Sequence, residues 1–464
     1  MSSSVSSGNP SMNFPEAELY LSSYINHELN LKACVPERFN LTRVEQALAA
    51  LGSPHKNLKC IHVAGSKGKG STCAFTAHIL KAAGYRVGLY TSPHLYDLRE
   101  RIRVLESVPA RGTHYDLFPD CISEEEFCSL LEEIKPRLEA SRHHLQWGAL
   151  TYFEVLTILA FCYFEEKKVD VAVLETGLGG RLDATNVVEP LACAITPISL
   201  EHMQQLGNTL AAIAQEKAAI IKPRKDGSPV IAVIAPQPGE AKAVIEQRCR
   251  EAGARPVILG KDIQCRPVRV GTDGQDFVVS SQRAEYDLTS SLLGRHQVTN
   301  AAMAVGLCEA LSLFGFNIRR EAVRGGIAAT FWPGRFEKVH ENPRVILDGA
   351  HNPASCQTLA ETFQDVFPQK KAVVILGMSD DKEKKGIIEN LSAIAQEFIL
   401  TQSRHPRAYH WKAEDGGTQI AAVLDAVEHG LKTARPDDAI VVTGSLFVVA
   451  EARRYFDESK SRNR

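Results

Sequence analysis

The sequence predicts an α/β protein of two domains. The N-terminal domain is expected to be a P-loop-type, mostly parallel sheet with an antiparallel subsheet, followed by a smaller C-terminal Rossmann-like α/β domain. Three observations predict this. Short, nearly unbroken apolar runs alternate with helical patterns along most of the chain, as strands covered on both faces do. A glycine-rich turn at 65–72 joins one such run to a helix. Trp332-Pro333-Gly334 punctuates the chain just before a second alternating series.

Cys60 to Ala64 reads as the first strand, and Ser71 to Ala83 as a helix stopped by Gly84. Arg86 to Thr91, Val169 to Glu175 and Leu191 to Thr196 read as further strands, and helices between them imply right-handed βαβ units. Between Pro229 and Val279 the character changes. Val230 to Ile234 and Phe277 to Val279, with a turn at Asp273-Gly274, suggest an antiparallel subsheet at the domain edge. A helix over Val298 to Phe314 follows. Beyond Gly334, the runs Val345 to Asp348, Ala372 to Gly377, Phe398 to Gln402 and Ala439 to Thr443 read as parallel strands. The expected division is a disordered Ser/Gly-rich tail at 1–12, a first domain at 13–331, a linker at 332–337 and a second domain at 338–464.

The chain has 464 residues with a net charge of −2. Nothing in that balance suggests nucleic acid or an anionic membrane as partner. The tail lacks the basic start and apolar run of a signal peptide. Tyr152 to Phe164 is strongly apolar but contains Glu154 and falls short of the roughly 20 residues a bilayer span needs. It should be a buried helix. Eleven cysteines form no CxxC pair, which fits a reduced, cytoplasmic protein better than a disulfide scaffold or zinc ribbon.

The strongest local signal is Gly65-Ser66-Lys67-Gly68-Lys69-Gly70-Ser71-Thr72. Glycines let the backbone turn its N–H groups toward phosphate, and the helix N-terminus adds partial positive charge. Lys69 can reach the β- and γ-phosphates, and Ser71 or Thr72 the phosphates or a metal. The pattern departs from the standard P-loop: Val63 stands at its first glycine and Gly70 follows the lysine. The plainer reading is a mobile basic loop. Further candidates lie at the ends of later strands, at Thr91-Ser92-Pro93-His94 and at Glu175. The loop after Glu175, Thr176 to Asn186, superficially suggests a dinucleotide fingerprint, but G-x-G-G is not G-x-G-x-x-G. A carboxylate beside a phosphate loop suits Mg²⁺, which prefers oxygen; a capping or salt-bridging Glu175 is the alternative.

Together these segments resemble the folylpolyglutamate synthase/dihydrofolate synthase family, within the Mur-ligase superfamily. The likeness rests on His62 to Ser71, Thr91 to Leu95, Leu174 to Arg181, Glu216-Lys217-Ala218, His296-Gln297 with Asn300-Ala301, Gly334 to Glu337, Asp348 to Pro353 and Thr443-Gly444-Ser445, in that order. The segment Gly179 to Asn186 looks more like bifunctional bacterial-type members than like single-function animal ones.

The resemblance implies an ATP-dependent ligase that phosphorylates a carboxylate of dihydropteroate or a folate and joins it to L-glutamate. It assigns phosphates to Gly65, Gly68, Lys69, Gly70, Ser71 and Thr72, adenine to Asn300, the γ-phosphate to Arg335 and the ribose to Asp348. Ser92, Glu175 and His202 look like ligands of Mg²⁺. Lys217 resembles the lysine carbamylated in this superfamily, which would help hold a second Mg²⁺; a plain surface lysine is the alternative. A monovalent cation such as K⁺ is a further implied cofactor. Lys69, Glu175, His202, Lys217 and Arg335 would form the catalytic set. The pteridine-bearing substrate would lie near Thr151, Phe153 and Asp183, with Phe153 equally readable as core, and glutamate near His351 and Ser445. Small-molecule substrates, no nucleic acid, no membrane and a monomer are expected. Three residues depart from the family pattern: Lys67 where Asn is common, Glu201 where Asp is usual, and Ala219 where Gly is usual. Two other readings stay open, a ligase of UDP-muramyl peptides and a nucleotide switch without ligation. The first would need a UDP-binding domain before the phosphate loop, and little chain precedes it.

Overall fold

The computed structural model describes residues 11–29, 40–106, 117–142 and 148–462. The expected tail lies outside them except for Ser11 and Met12, which are not loose: their amides donate to the Glu132 carboxylate at 3.3 and 2.5 Å. Two compact units emerge. Met1–Cys265, Val279–Tyr286 and Thr299–Ile327 make the first, and Arg266–Val278, Asp287–Val298 and Ala328–Arg464 the second. The expected split near 332 gave each domain one continuous stretch; the structure instead interleaves them through 266–298.

Seven strands form the first sheet: β1 (Cys60–Ala64), β2 (Val87–Tyr90), β3 (Ile102–Leu105), β4 (Val171–Glu175), β5 (Ala192–Ile195), β6 (Ile231–Ile234) and β7 (Arg255–Ile258). Their order is β3-β2-β4-β1-β5-β6-β7. Every pair is parallel except β2 with β3. This corrects one expectation. The run at 230–234 is not in an antiparallel subsheet; β6 pairs in parallel with β5, Ala192 opposite Ile231. Its four residues are all buried, as a covered parallel strand requires. Arg103 interrupts the apolar pattern of β3 and hides the strand in the sequence; the Asp120 carboxylate neutralises that arginine at 2.8 Å.

The subsheet itself is β8 (Ile263–Val270), β9 (Gln275–Ser281) and β10 (Glu285–Ser290), in the order β10-β9-β8. Short turns join consecutive neighbours, a connection open to antiparallel strands. The helix Tyr152–Glu166 is buried along most of its length, as its composition predicts. Among the described residues, 295–314 is the one helical stretch long and apolar enough to cross a membrane, and 72% of that window is buried inside the protein. Burial of this kind identifies a core helix.

The second sheet is β11 (Glu337–Glu341), β12 (Arg344–Leu347), β13 (Ala372–Leu376), β14 (Ala395–Gln402), β15 (Thr418–Ala422) and β16 (Ala439–Thr443), in the order β11-β12-β16-β13-β14-β15. Only β11 with β12 is antiparallel. In such open sheets ligands gather beyond the C-terminal strand ends, and most candidate residues lie there.

Candidate active site

The phosphate loop leaves β1 at Gly65 and enters the helix Lys69–Ala82, with Gly68 as N-cap in the left-handed region at φ +85°. Side chains are excluded at two points. A Cβ on Gly65 would overlap Thr196 Oγ1, and one on Gly68 would overlap Asn300 Oδ1. Asn300, expected near adenine, therefore sits against the loop. Loop and β5 exit are tied together: the Ser66 hydroxyl donates to the Ser199 carbonyl at 3.0 Å, and the Ser66 amide to the Pro197 carbonyl at 3.1 Å. Ser71 and Thr72 are buried in the first helical turn. Thr72 Oγ1 is buried without a hydrogen-bond partner, an orphaned group beside a cradle that a Cβ would fill.

Two lysines converge on one carbonyl. Lys69 Nζ donates to Gly65 O at 3.1 Å, and Lys217 Nζ donates to the same oxygen at 2.9 Å. Lys217 is 2% exposed and pairs with Glu201 at 2.8 Å. It is thus no surface lysine. Burial pulls it below the ordinary lysine range, against the opposing pull of Glu201. For Glu201, burial would raise the carboxyl, but Lys217 and then Lys69 outweigh burial and hold it below the usual carboxylate range. The pair is therefore ionic. Glu201, which stands where the family usually has Asp, is the direct partner of Lys217. His202, its neighbour, is exposed and takes a left-handed φ of +44°, a conformation costly for a non-glycine residue.

Glu175 ends β4, is 5% exposed, and accepts from the Ser92 amide at 3.1 Å. This places a buried carboxylate beside the Ser92 hydroxyl-bearing residue at the end of β2. Among the described residues no three His, Cys, Asp or Glu converge as a metal cage. At these two strand ends the protein thus offers one buried carboxylate and one hydroxyl. That donor set suits Mg²⁺, which takes one or two carboxylates and fills its remaining positions with phosphate and water.

The expected substrate residues differ in how free they are. The Thr151 hydroxyl caps the helix Tyr152–Glu166 within a capping box closed by Glu154, and Glu154 is gripped by Arg43 at 2.8 Å. Thr151 therefore shapes the helix start. Phe153 is half-buried, its ring packed so closely on Gly177 that a Cβ there would meet it at 2.7 Å. Asp183 is turned inward: one oxygen accepts from the Gly177 and Leu178 amides at 2.9 and 3.0 Å, the other from the Thr185 amide and hydroxyl. It braces the loop after Glu175 rather than standing open to a ligand. Burial raises its carboxyl, and these hydrogen bonds oppose the shift.

In the second unit, Phe336 holds a left-handed φ of +47° just after Arg335. Asp348 fixes that turn, accepting from the Phe336 and Ala350 amides at 2.8 and 2.9 Å. Its oxygens thus already serve the main chain around Arg335. The ends of β12 and β16 are joined by the Gly444 amide donating to Ala350 O at 2.9 Å. His351 is exposed, and its Nδ1 lies 2.8 Å from Gly349 O; a carbonyl only accepts, so Nδ1 carries the proton. Ser445 is buried and its hydroxyl accepts from the Phe447 amide at 3.1 Å, as an N-cap does.

Comparisons with known proteins accord with this layout. The family model for the Mur ligase middle domain matches residues 131–308, and that for the Mur ligase glutamate ligase domain matches 334–446. The dihydrofolate synthase/folylpolyglutamate synthase of Bacillus subtilis is 36% identical over 423 residues, covering 89% of this chain and 94% of that protein. Its Escherichia coli namesake is 31% identical, covering 96% and 98%. The solved Mycobacterium tuberculosis folylpolyglutamate synthase complexed with ADP superposes with a TM-score of 0.84 at 30% identity, covering 96% and 98%. The chain belongs to the dihydrofolate synthase/folylpolyglutamate synthase family, ATP-dependent ligases that form carbon–nitrogen bonds.

Proposed function

We propose that this enzyme phosphorylates the carboxylate of dihydropteroate, a reduced folate, or both, and couples it to the amine of L-glutamate. A carboxylate oxygen attacks the γ-phosphorus of ATP and ADP leaves. The glutamate amine then attacks the acyl carbon, phosphate departs, and the amine loses a proton. One observation carries the reading: a glycine-formed phosphate loop, two lysines on the Gly65 carbonyl and the buried Glu175 all lie at neighbouring strand ends of one sheet.

Lys69 offsets the repulsion between two anions, a preorganised charge of the kind that lowers barriers most. Glu175, Ser92 and His202 would hold Mg²⁺, which when bound neutralises charge on the β- and γ-phosphate oxygens. Lys217 and Glu201 set the charge beneath the loop. A carbamate on Lys217 would face the Glu201 carboxylate, a repulsion that a cation between them would offset. Asn300 is assigned to the nucleotide, with Arg335 carrying the γ-phosphate contact and Asp348 placing it. His351 and Ser445 are assigned to glutamate. Ten described cysteines are all unpaired, which supports action in the reducing cytoplasm, and we assign it a monomeric state.

The test is an assay matrix of dihydropteroate or tetrahydrofolate with ATP and labelled glutamate. Phosphate release that requires glutamate, with labelled dihydrofolate or folylpolyglutamate as product, is expected. Phosphate release indifferent to both glutamate and acid would instead favour a nucleotide switch, and turnover only with a UDP-muramyl peptide would favour the other ligase reading.

A further inference from the structure

His62 opens the motif that carries the phosphate loop, yet nothing in the chemistry above uses its side chain. It lies in the middle of β1, between Leu174 of β4 and Cys193 of β5, and is wholly buried. Its Nε2 stands 2.8 Å from Thr185 Oγ1. The Thr185 hydroxyl in turn donates to Asp183 Oδ1, and the other Asp183 oxygen takes the Gly177 and Leu178 amides. One chain of hydrogen bonds thus runs from the sheet interior to the main chain just past Glu175.

The direction of that chain is fixed. Thr185 has one hydroxyl proton. With Asp183 ionised, that proton goes to the carboxylate, so Thr185 Oγ1 accepts from His62 and Nε2 carries the ring proton. The reverse arrangement would protonate Asp183, turn the Thr185 proton toward Nε2 and move the ring proton to His62 Nδ1. That nitrogen is buried with no hydrogen-bond partner, and a buried N–H without an acceptor is costly. Burial also pushes His62 down to about 3, which keeps the ring neutral. The ring therefore donates to Thr185 and secures Asp183 as an acceptor for the loop.

The loop so held has little slack. At Gly177 it meets the Phe153 ring, where a Cβ would come within 2.7 Å. At Gly180 a Cβ would meet Glu216 O at 2.7 Å, and the Arg181 amide donates to that same oxygen at 2.8 Å. The loop is wedged between Phe153 and the chain at Glu216-Lys217, and Asp183 sets its shape at the Phe153 end. We propose that His62 and Thr185 are positioning residues for the acid substrate: through Asp183 they hold Gly177, and with it the Phe153 ring, where the acid binds. The proposal rests on the ligase reading, in which the Phe153 ring flanks the acid.

The test uses full-length His62→Leu, His62→Gln, Thr185→Val, Thr185→Ser and the double variant His62→Leu/Thr185→Val. KM is measured separately for the acid (dihydropteroate or tetrahydrofolate), ATP and glutamate. His62→Leu and Thr185→Val should each raise the acid KM about ten-fold, the effect of one lost hydrogen bond to a charged network. The KM values for ATP and glutamate should stay within about two-fold of wild type. Glutamine can present an N–H where Nε2 stands, and serine keeps the hydroxyl, so both conservative variants should stay within about three-fold. Loss of the Thr185 hydroxyl already severs His62 from Asp183, so the double variant should be no worse than Thr185→Val alone. Thr185→Val keeps the side-chain outline and gives the decisive reading should His62→Leu not fold. An acid KM within about two-fold of wild type in Thr185→Val overturns the proposal. So does an equal rise for acid and ATP, a Thr185→Ser enzyme as impaired as Thr185→Val, or a double variant showing the product of the two single losses. Failure of the wild-type enzyme to form an amide from either acid would instead overturn the ligase reading.

Discussion

At the residue scale, the Lys217–Glu201 pair decides most. Both partners are largely buried, with side-chain exposures of 2% and 18%. Removing one partner of such a pair leaves an uncompensated charge, at a cost of about 3 kcal/mol. Glu201→Gln should lose that much in urea unfolding, and loss under about 1 kcal/mol would show the pair to be incidental. Lys69→Ala should keep the wild-type melting temperature but lower kcat about 10²–10³-fold, as loss of one preorganised electrostatic contact does. The sequence showed that residues 201 and 217 belong to recognisable segments. It could not show that they touch, because sixteen positions and a chain turn separate them and only folding sets their distance. Nor could it show that Asp183 faces inward; an Asp in a glycine-rich loop looks the same whether it binds a ligand or its own backbone.

At the element scale, the phosphate loop depends on two glycines that face side chains from distant elements. A methyl at Gly68 would meet both Asn300 and a left-handed backbone. Strain of about 1–3 kcal/mol is typical of such a site. Gly68→Ala should therefore weaken ATP binding about 10- to 100-fold by calorimetry, whereas Gly84→Ala, also left-handed but with nothing near its Cβ position, should leave ATP affinity unchanged. Arg43 fixes another element by clamping Glu154 at the start of the helix Tyr152–Glu166. Arg43→Ala strands that carboxylate and should cost about 3–5 kcal/mol of stability, read from chemical denaturation. The loop was legible because glycine and lysine at that spacing, after an apolar run, have few other uses. β6 was legible as a strand but not in its pairing: four apolar residues carry no record of which neighbour they join.

At the scale of the whole molecule, buried histidines give the first unit a pH signature. Burial, the largest cause in each case, pushes His55 and His78 down to about 4 and His62 to about 3, from an ordinary 6.5. A group whose pKa falls on folding contributes stability that is present above its unfolded value and is lost as pH falls. Stability should thus hold above about pH 6.5 and decline steadily toward pH 4, as the unfolded chain takes up protons that the folded one refuses. Unfolding free energy that stays level from pH 7 to 4.5 would contradict this. The interleaving of the two units was not legible in the sequence, since 266–278 and 287–298 carry no local mark of the unit they join.

The central claim is that the acid substrate is activated by taking the γ-phosphoryl group itself. The most direct measurement uses dihydropteroate or tetrahydrofolate labelled with ¹⁸O in its reacting carboxylate, turned over with ATP and glutamate, with the released phosphate read by mass. One labelled oxygen should pass from each activated carboxylate into phosphate. Unlabelled phosphate formed alongside amide product would contradict the account.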